Sequence, residues 1–405
     1  MLLVKIAFRN VFRQKRRTLL TVLTMLIGFT LASLSIAWSD GTYNNIIDMF
    51  TRNQMGHIQI HQRGYLDHPA LYKTIDQYET AGKLIADVAG VESWTPRLYS
   101  AGLISVGEKS SGARIIGIEP QLEQTATQFD KKIARGRMFS DEPAHEALIG
   151  EGLAKILKTD VGDEAVIVSQ GADGSIANDL YTIVGLVSSG NKMTDQSSFY
   201  LHLADAQELL VLEGRIHEIS IVGEDLDIIS YLVDDIKMVI ADPDLAVAPW
   251  QEFAKQFYQA MKADQQGGWI MLGIIILVVA VGVLNTVLMT VLERTREYGV
   301  LRAVGTGPGQ IFGLVLMEVF VMAIISIILA VGLSYAINYG LSIQGVAMPK
   351  PFMYGGVEFR KMYTEINARS FYIPALCVVI SAMFVAIFPA TKAARVAPAR
   401  AMRMH

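Results

Sequence analysis

Two histidines spaced four apart, His57 and His61, are the first residues that could do chemistry, because converging imidazoles bind zinc. In a strand they share one face yet stand roughly 13 Å apart at about 3.3 Å per residue, too far for one ion. His145-Glu146 and His217-Glu218 begin like the zinc-protease motif, but no second histidine follows at the needed spacing, so both pairs are expected to be surface polar residues. Gly171-Ala172-Asp173-Gly174 lacks the later carboxylates of a calcium loop and reads as a turn between strands. No Gly-x-Ser-x-Gly elbow is present, and Gly305-Thr306-Gly307-Pro308-Gly309 lacks the Lys-Ser/Thr ending with which a P-loop grips nucleotide. Those glycines are expected to end a helix and turn the chain. A single cysteine, Cys377, excludes an intramolecular disulfide and a multi-cysteine metal site. The expectation is a non-catalytic chain with no metal or cofactor of its own.

One carboxylate stands apart. Glu318 interrupts an otherwise apolar run, and an ionisable group inside a membrane span is costly enough to suggest a role in helix packing or coupling. Asn285, Thr286 and Thr290 are expected to serve as interhelical hydrogen-bond contacts. The elements holding these residues follow from composition. Of 405 residues, 52% are apolar and 18% charged, against about 25% charged in soluble chains. That balance argues against a disordered, nucleic-acid-binding or purely cytosolic protein. The net charge of −4 hides a segregation: 39–268 carries 34 acidic and 18 basic residues, a net of −16, leaving +12 elsewhere.

Four stretches can cross the hydrocarbon core, which needs about 20 apolar helical residues. The resulting α-helical membrane fold has a first transmembrane helix at 18–39, a second at 269–292, a third at 311–338 and a fourth at 371–391. The first is longer than a signal peptide's apolar core and reads as a retained anchor. Basic residues cluster in 1–17, 293–310 and 392–405, which places these segments and both termini in the cytoplasm. The 40–268 segment and the 339–370 loop then lie outside, which for a chain in the inner (cell) membrane of a bacterium means the periplasm or the cell exterior. Within 1–17, Val4, Phe8, Val11 and Phe12 form one stripe and Lys5, Arg9, Arg13, Arg16 and Arg17 supply cations, as in an amphipathic helix at the membrane interface.

The 40–268 segment alternates strand-like and helix-like periods. Strands are expected at 57–61, 114–118, 164–169, 180–187 and 218–222, and helices at 77–88, 204–212 and 228–240, the last with Ile228, Leu232, Ile236 and Val239 on one face. This predicts a large α+β domain inserted between the first and second transmembrane helices.

The leader Ile6-Ala-Phe-Arg9-Asn10-Val-Phe-Arg13-Gln-Lys-Arg16-Arg17-Thr18 resembles the opening of the MacB/FtsX-like permeases, a group that includes lipoprotein-releasing permeases of the LolC/LolE type. Glu293-Arg294-Thr-Arg296-Glu297-Tyr-Gly299-Val-Leu301-Arg302-Ala-Val-Gly305 and the tail from Pro389 through Lys392, Arg395, Pro398 and Arg400 to Arg403 complete the pattern. The resemblance implies a MacB-type periplasmic core domain and the membrane subunit of an ABC transporter. It implies two permease chains, identical or related, joined to a cytosolic ATPase dimer that carries ATP and magnesium. The helix after the second span would be the coupling helix, with Arg294, Arg296, Glu297, Leu301 and Arg302 docking into the ATPase. Family members relay ATP-driven closure to their outer domains, a process called mechanotransmission.

For substrate, release of lipoproteins or other amphiphiles from the inner membrane is the first expectation. Extracting three acyl chains costs on the order of 30 kcal/mol at about 0.8 kcal/mol per CH₂, so such release must be driven. Periplasmic efflux of peptides or small molecules, and signalling or force transmission to a cell-wall enzyme, are the alternatives. The connection between Gln170 and Asp179 is polar where one lipoprotein-releasing permease has an apolar hook, which weakens a carrier-recruiting role. A receptor would need a cytosolic signalling domain, and a secondary carrier several charged or broken spans.

Overall fold

The computed structural model describes residues 2–13, 15–354 and 357–397. They divide into two compact units, one formed by the residues up to 43, 261–348 and 361 onward, the other by 44–260 with 349–360.

The first unit is helical. Its elements are α1 (Leu2–Arg13), α2 (Lys15–Phe50) up to residue 43, α3 (Lys255–Glu293) from residue 261, α4 (Thr295–Ala303), α5 (Pro308–Gln344) and α6 (Arg369–Ala394). Of these, α2, α3, α5 and α6 are long and apolar enough to cross a membrane. Val279, Val283, Val287 and Val291 recur every fourth residue on α3, and Val378, Ala382, Ala386 and Ala390 do so on α6; both rows are buried with Met25 and Phe29 of α2 and Val315, Val319 and Ala323 of α5. Small residues on such rows let helix backbones approach closely. The outer faces remain apolar, with Ile270, Leu277, Val281, Phe384 and Phe388 exposed, as lipid contact requires.

Gly28 marks the tightest approach: a β-carbon there would stand 2.0 Å from Val279 Cγ2. Gly305, with φ at +103°, follows the end of α4, and Pro308 opens α5 at its first position. This glycine-then-proline order ends one helix and starts the next.

Two boundaries depart from the sequence expectation. The amphipathic leader ends at Arg13, and Arg16 and Arg17 belong to α2, because the basic stripe continues across a helix boundary that charge alone does not mark. Helices α2 and α3 also run beyond the apolar windows, to Phe50 and back to Lys255. Apolarity measures the membrane-compatible length, whereas backbone hydrogen bonds carry a helix into polar sequence. The 339–370 loop contains paired strands at Val346–Tyr354 and Val357–Met362.

The second unit is built on a mixed ten-stranded sheet. Its strands are β1 (Ile58–Gln62), β2 (Val91–Val106), β3 (Lys109–Ile118), β4 (Ile133–Gly136), β5 (Glu146–Gly150), β6 (Glu164–Gln170), β7 (Ile176–Val187), β8 (Ser198–His202), β9 (Glu218–Gly223) and β10 (Leu245–Pro249). The order is β10-β1-β9-β2-β3-β8-β5-β7-β4, and β6 pairs with both β2 and β7. Those pairings close a ring of six strands, β2-β3-β8-β5-β7-β6, in which each member has a neighbour on both sides along part of its length. Strands β3 and β8 are parallel, as are β5 and β7.

Alternation along the strands sends Ile58, Ile60, Leu98, Ile115, Phe199, Leu201, Ile219 and Ile221 into one core. Helix Ile229–Ile240 buries Ile229, Leu232, Val233 and Ile236. The stripe is thus rotated from the expected one, leaving Val239 40% exposed. The turn at Gly171–Gly174 joins β6 to β7, with Asp173 accepting hydrogen bonds from the backbone and hydroxyl of Ser175.

Candidate functional site

Glu318 lies ten residues into α5, about 15 Å along the helix at about 1.5 Å per residue. Its carboxylate is buried and fully engaged. Arg294 Nη1 donates to both oxygens, at 3.0 and 2.9 Å, and Asn10 Nδ2 of α1 donates to Oε1 at 2.7 Å. Arg294 sits in the one-residue break between α3 and α4, and its Nε donates to Glu297 Oε2 at 2.8 Å. The guanidinium also lies 5.3 Å from the centre of the Tyr298 ring. Four elements, α1, α4, α5 and the α3–α4 junction, therefore meet on one ion pair.

The electrostatics follow from burial. Desolvation works against the charge of Arg294, but Glu318 outweighs it and holds the guanidinium above its ordinary value. Tyr298 is completely buried. Burial first, and the Glu318 charge second, push its phenol far up. A buried pair of this kind stabilises little against an apolar replacement, while loss of one partner leaves an uncompensated charge. Its distinctive property is geometric: it fixes the position of α4 relative to α5 and α1. Beside it, Arg17 at the start of α2 forms an ion pair with Glu293 at the end of α3.

The residues singled out from sequence separate into two groups. Arg294 and Glu318 come together inside the bundle, so Arg294 is directed inward and away from the surface where a docking residue would lie. Arg296, Glu297 and Leu301 are exposed, and Arg302 is half-buried. Val300 and Val304 extend this face as apolar residues, Val304 being 82% exposed. Of the basic leader residues, Arg9, Arg13 and Arg16 are exposed, Arg17 is half-buried, and Lys5 lies in α1. Asn285 is exposed, while Thr286 and Thr290 donate to carbonyls of their own helix, Gly282 and Thr286. The expected interhelical role of this trio is not what the structure places there; back-bonding within the helix satisfies the hydroxyls locally. Pro398, Arg400 and Arg403 of the tail lie outside the described residues.

Sequence reasoning missed Asn10 and Tyr298, whose types give no signal without tertiary context. It also missed Asn338, fully buried in α5, which donates to Ser33 of α2 at 3.3 Å. In the second unit the expectation for His217-Glu218 is overturned, since both are buried. His217 Nδ1 accepts the Tyr99 backbone N–H, and Glu218 accepts from Arg97 and Tyr99. His145, by contrast, is exposed.

Residues 18–237 match the MacB-like periplasmic core domain, and residues 269–398 the FtsX-like permease C-terminal domain. This chain belongs to the MacB/FtsX-like family of ABC transporter permeases. It is similar to the lipoprotein-releasing system transmembrane protein LolC of Neisseria meningitidis serogroup B, at 20% identity over 98% of both chains. An uncharacterised ABC transporter permease of Methanocaldococcus jannaschii is 25% identical over 78% of each. The macrolide export ATP-binding/permease protein MacB of Bartonella quintana is 23% identical over 82% of this chain and 50% of its own length. Among solved structures, the periplasmic region of MacB from Actinobacillus actinomycetemcomitans matches at 18% identity, covering 50% of this chain and 94% of that one, with a TM-score of 0.37. In this MacB/FtsX-like permease the ion pair and exposed α4 face both fall within or beside the FtsX-like segment.

Proposed function

We propose that this permease is the membrane subunit of a mechanotransmission-type ABC transporter, driven by a separate cytosolic ATPase dimer that docks on α4. The observation carrying this reading is the two-sided character of α4. Its outer face combines Arg296 and Glu297 with Val300, Leu301 and Val304, an apolar centre flanked by both charge signs, which suits a specific protein contact. Its inner side is tied to α5 and α1 through Arg294 and Glu318. Force applied to α4 would thus be delivered to the bundle through a fixed joint.

On this reading both termini and α4 face the cytoplasm, the core domain faces the periplasm, and a second permease chain, identical or related, completes the complex. The work performed is release or transport of lipoproteins or other amphiphiles from the inner membrane, in keeping with the similarity to LolC across 98% of both chains.

Val304→Asp tests the docking face because it alters an exposed position without touching the ion pair. The variant is expected to insert normally but to lose most ATPase co-purification and stimulation. Full retention of a P-loop ATPase with normal stimulation would remove the basis for docking on α4.

A further inference from the structure

The buried charges of the core domain surround an internal space. The sheet face opposite the apolar core carries Gln59 and His61 of β1, Glu218 of β9, Arg97 and Tyr99 of β2, Ile116 of β3 and Tyr200 of β8, all lining a cavity of about 620 Å³. That volume lies within the roughly 300–1,000 Å³ of small-molecule sites.

Its floor is a charge network of fixed geometry. Arg97 donates from Nε and Nη2 to Glu123 at 3.1 and 2.6 Å, and from Nη1 to Glu218 at 3.3 Å and the Gln54 carbonyl at 2.7 Å. Thr95 and Thr127 add hydrogen bonds to Glu123. The guanidinium is therefore committed to the protein's own carboxylates. Lys132 also lines the space, and its charge acts on Glu123.

Arg114 has a different setting. It is exposed at the cavity's edge, with its guanidinium 4.2 Å from the centre of the Tyr99 ring, and among the described residues it forms no ion pair. The lining cations Arg97, Arg114 and Lys132 outnumber the carboxylates Glu123 and Glu218 by one. Phe129 and Tyr200, which meet edge to face at 5.0 Å, supply an aromatic wall. A surplus guanidinium at the mouth, 4.2 Å from the centre of a tyrosine ring, beside an aromatic interior, matches a ligand with an acidic group at one end and an apolar body.

We propose that this cavity binds an organic anion, with its acidic group on Arg114 and its apolar body against Tyr99, Tyr200 and Phe129. The site lies wholly within the core domain and does not depend on the docking of an ATPase on α4.

The full chain in lipid nanodiscs provides the test, with indole-3-acetate and tryptamine as probes that share a ring system but carry opposite charges. Saturation-transfer NMR and titration should show saturable binding of indole-3-acetate, about tenfold weaker in Arg114→Glu and within about threefold of wild type in Arg114→Lys. Ala101→Trp, a substitution at an exposed lining position, should block the space and abolish binding. Both positions are exposed, so the variants should fold, and circular dichroism is the check. No saturable binding to wild type, equal or tighter binding of tryptamine, unchanged affinity in Arg114→Glu, or undiminished binding in Ala101→Trp would each overturn the assignment.

Discussion

Removing one partner of the Arg294–Glu318 pair should be far more damaging than removing both. Each side chain is only 9% exposed. Arg294→Met leaves the Glu318 carboxylate buried with Asn10 as its remaining hydrogen-bond donor from the cluster. Breaking a buried pair costs about 3–5 kcal/mol, and the retained Asn10 bond places the expectation near the lower end, at about 3 kcal/mol. Glu318→Leu should cost a similar amount, because among the described residues Arg294 then keeps one carboxylate partner, the partly exposed Glu297, beside the Tyr298 ring. The double variant Arg294→Met/Glu318→Leu removes both charges and fills the space with apolar atoms, so it should recover most of the loss. Unfolding in mixed detergent micelles, followed at constant temperature for wild type and three variants, completes the cycle. Single variants as stable as wild type, or a double variant that loses the sum of the single effects, would refute the reasoning. The same proteins separate folding from coupling: the double variant should fold yet stimulate its ATPase poorly, because the fixed joint has been replaced by non-directional packing.

Gly28→Val should destabilise the bundle by about 1–3 kcal/mol through overpacking, since even a β-carbon at this position meets Val279 at 2.0 Å; Val279→Ala in the same chain should relieve part of the loss, and thermal unfolding reads both. His57 gives the core domain a pH dependence. Burial first, and the charge of Arg52 second, push its ring down from 6.5 to about 4, and the Gly223 N–H donates to Nδ1. The folded state therefore binds fewer protons than the unfolded chain between these values. Its stabilising contribution is complete above pH 6.5 and is lost as pH falls towards 4, by about 3 kcal/mol in total. The protection factors of β1 and β9 amides, with the pH dependence of intrinsic exchange divided out, should fall as pH is lowered across this window and do so less in His57→Gln; an unchanged pH profile in that variant would assign the effect to other groups.

The membrane-spanning pattern was legible because bilayer thickness imposes a length and lipid imposes apolarity, and neither needs tertiary information. Strand β9, with Ile219 and Ile221 in the core, was visible for a related reason: alternation reports a half-buried sheet. Strand β2 was not anticipated, since Pro96 and Gly102 interrupt its pattern, although Pro96 sits opposite Ile219 in the pairing. Glu318 was conspicuous as a charge in an apolar run, but its partner was not. Arg294 belongs to a segment rich in charges, where nothing local distinguishes the one that turns inward. His217 and Glu218 looked like surface residues for the same reason: one sheet face of this domain is buried and polar, so polarity no longer reports exposure.

Strand β2 is also the spine of the core domain, because its 16 residues pair in turn with β9, β3 and β6. A shift by one residue anywhere along it would exchange the positions of Leu98 and Tyr99, turning the core-facing side towards the charged cavity and the reverse. Length changes within 91–106 are therefore forbidden by both faces at once, and evolutionary variation in this domain should accumulate instead in connections such as 171–175. The strand acts as a ruler against which the rest of the domain is set.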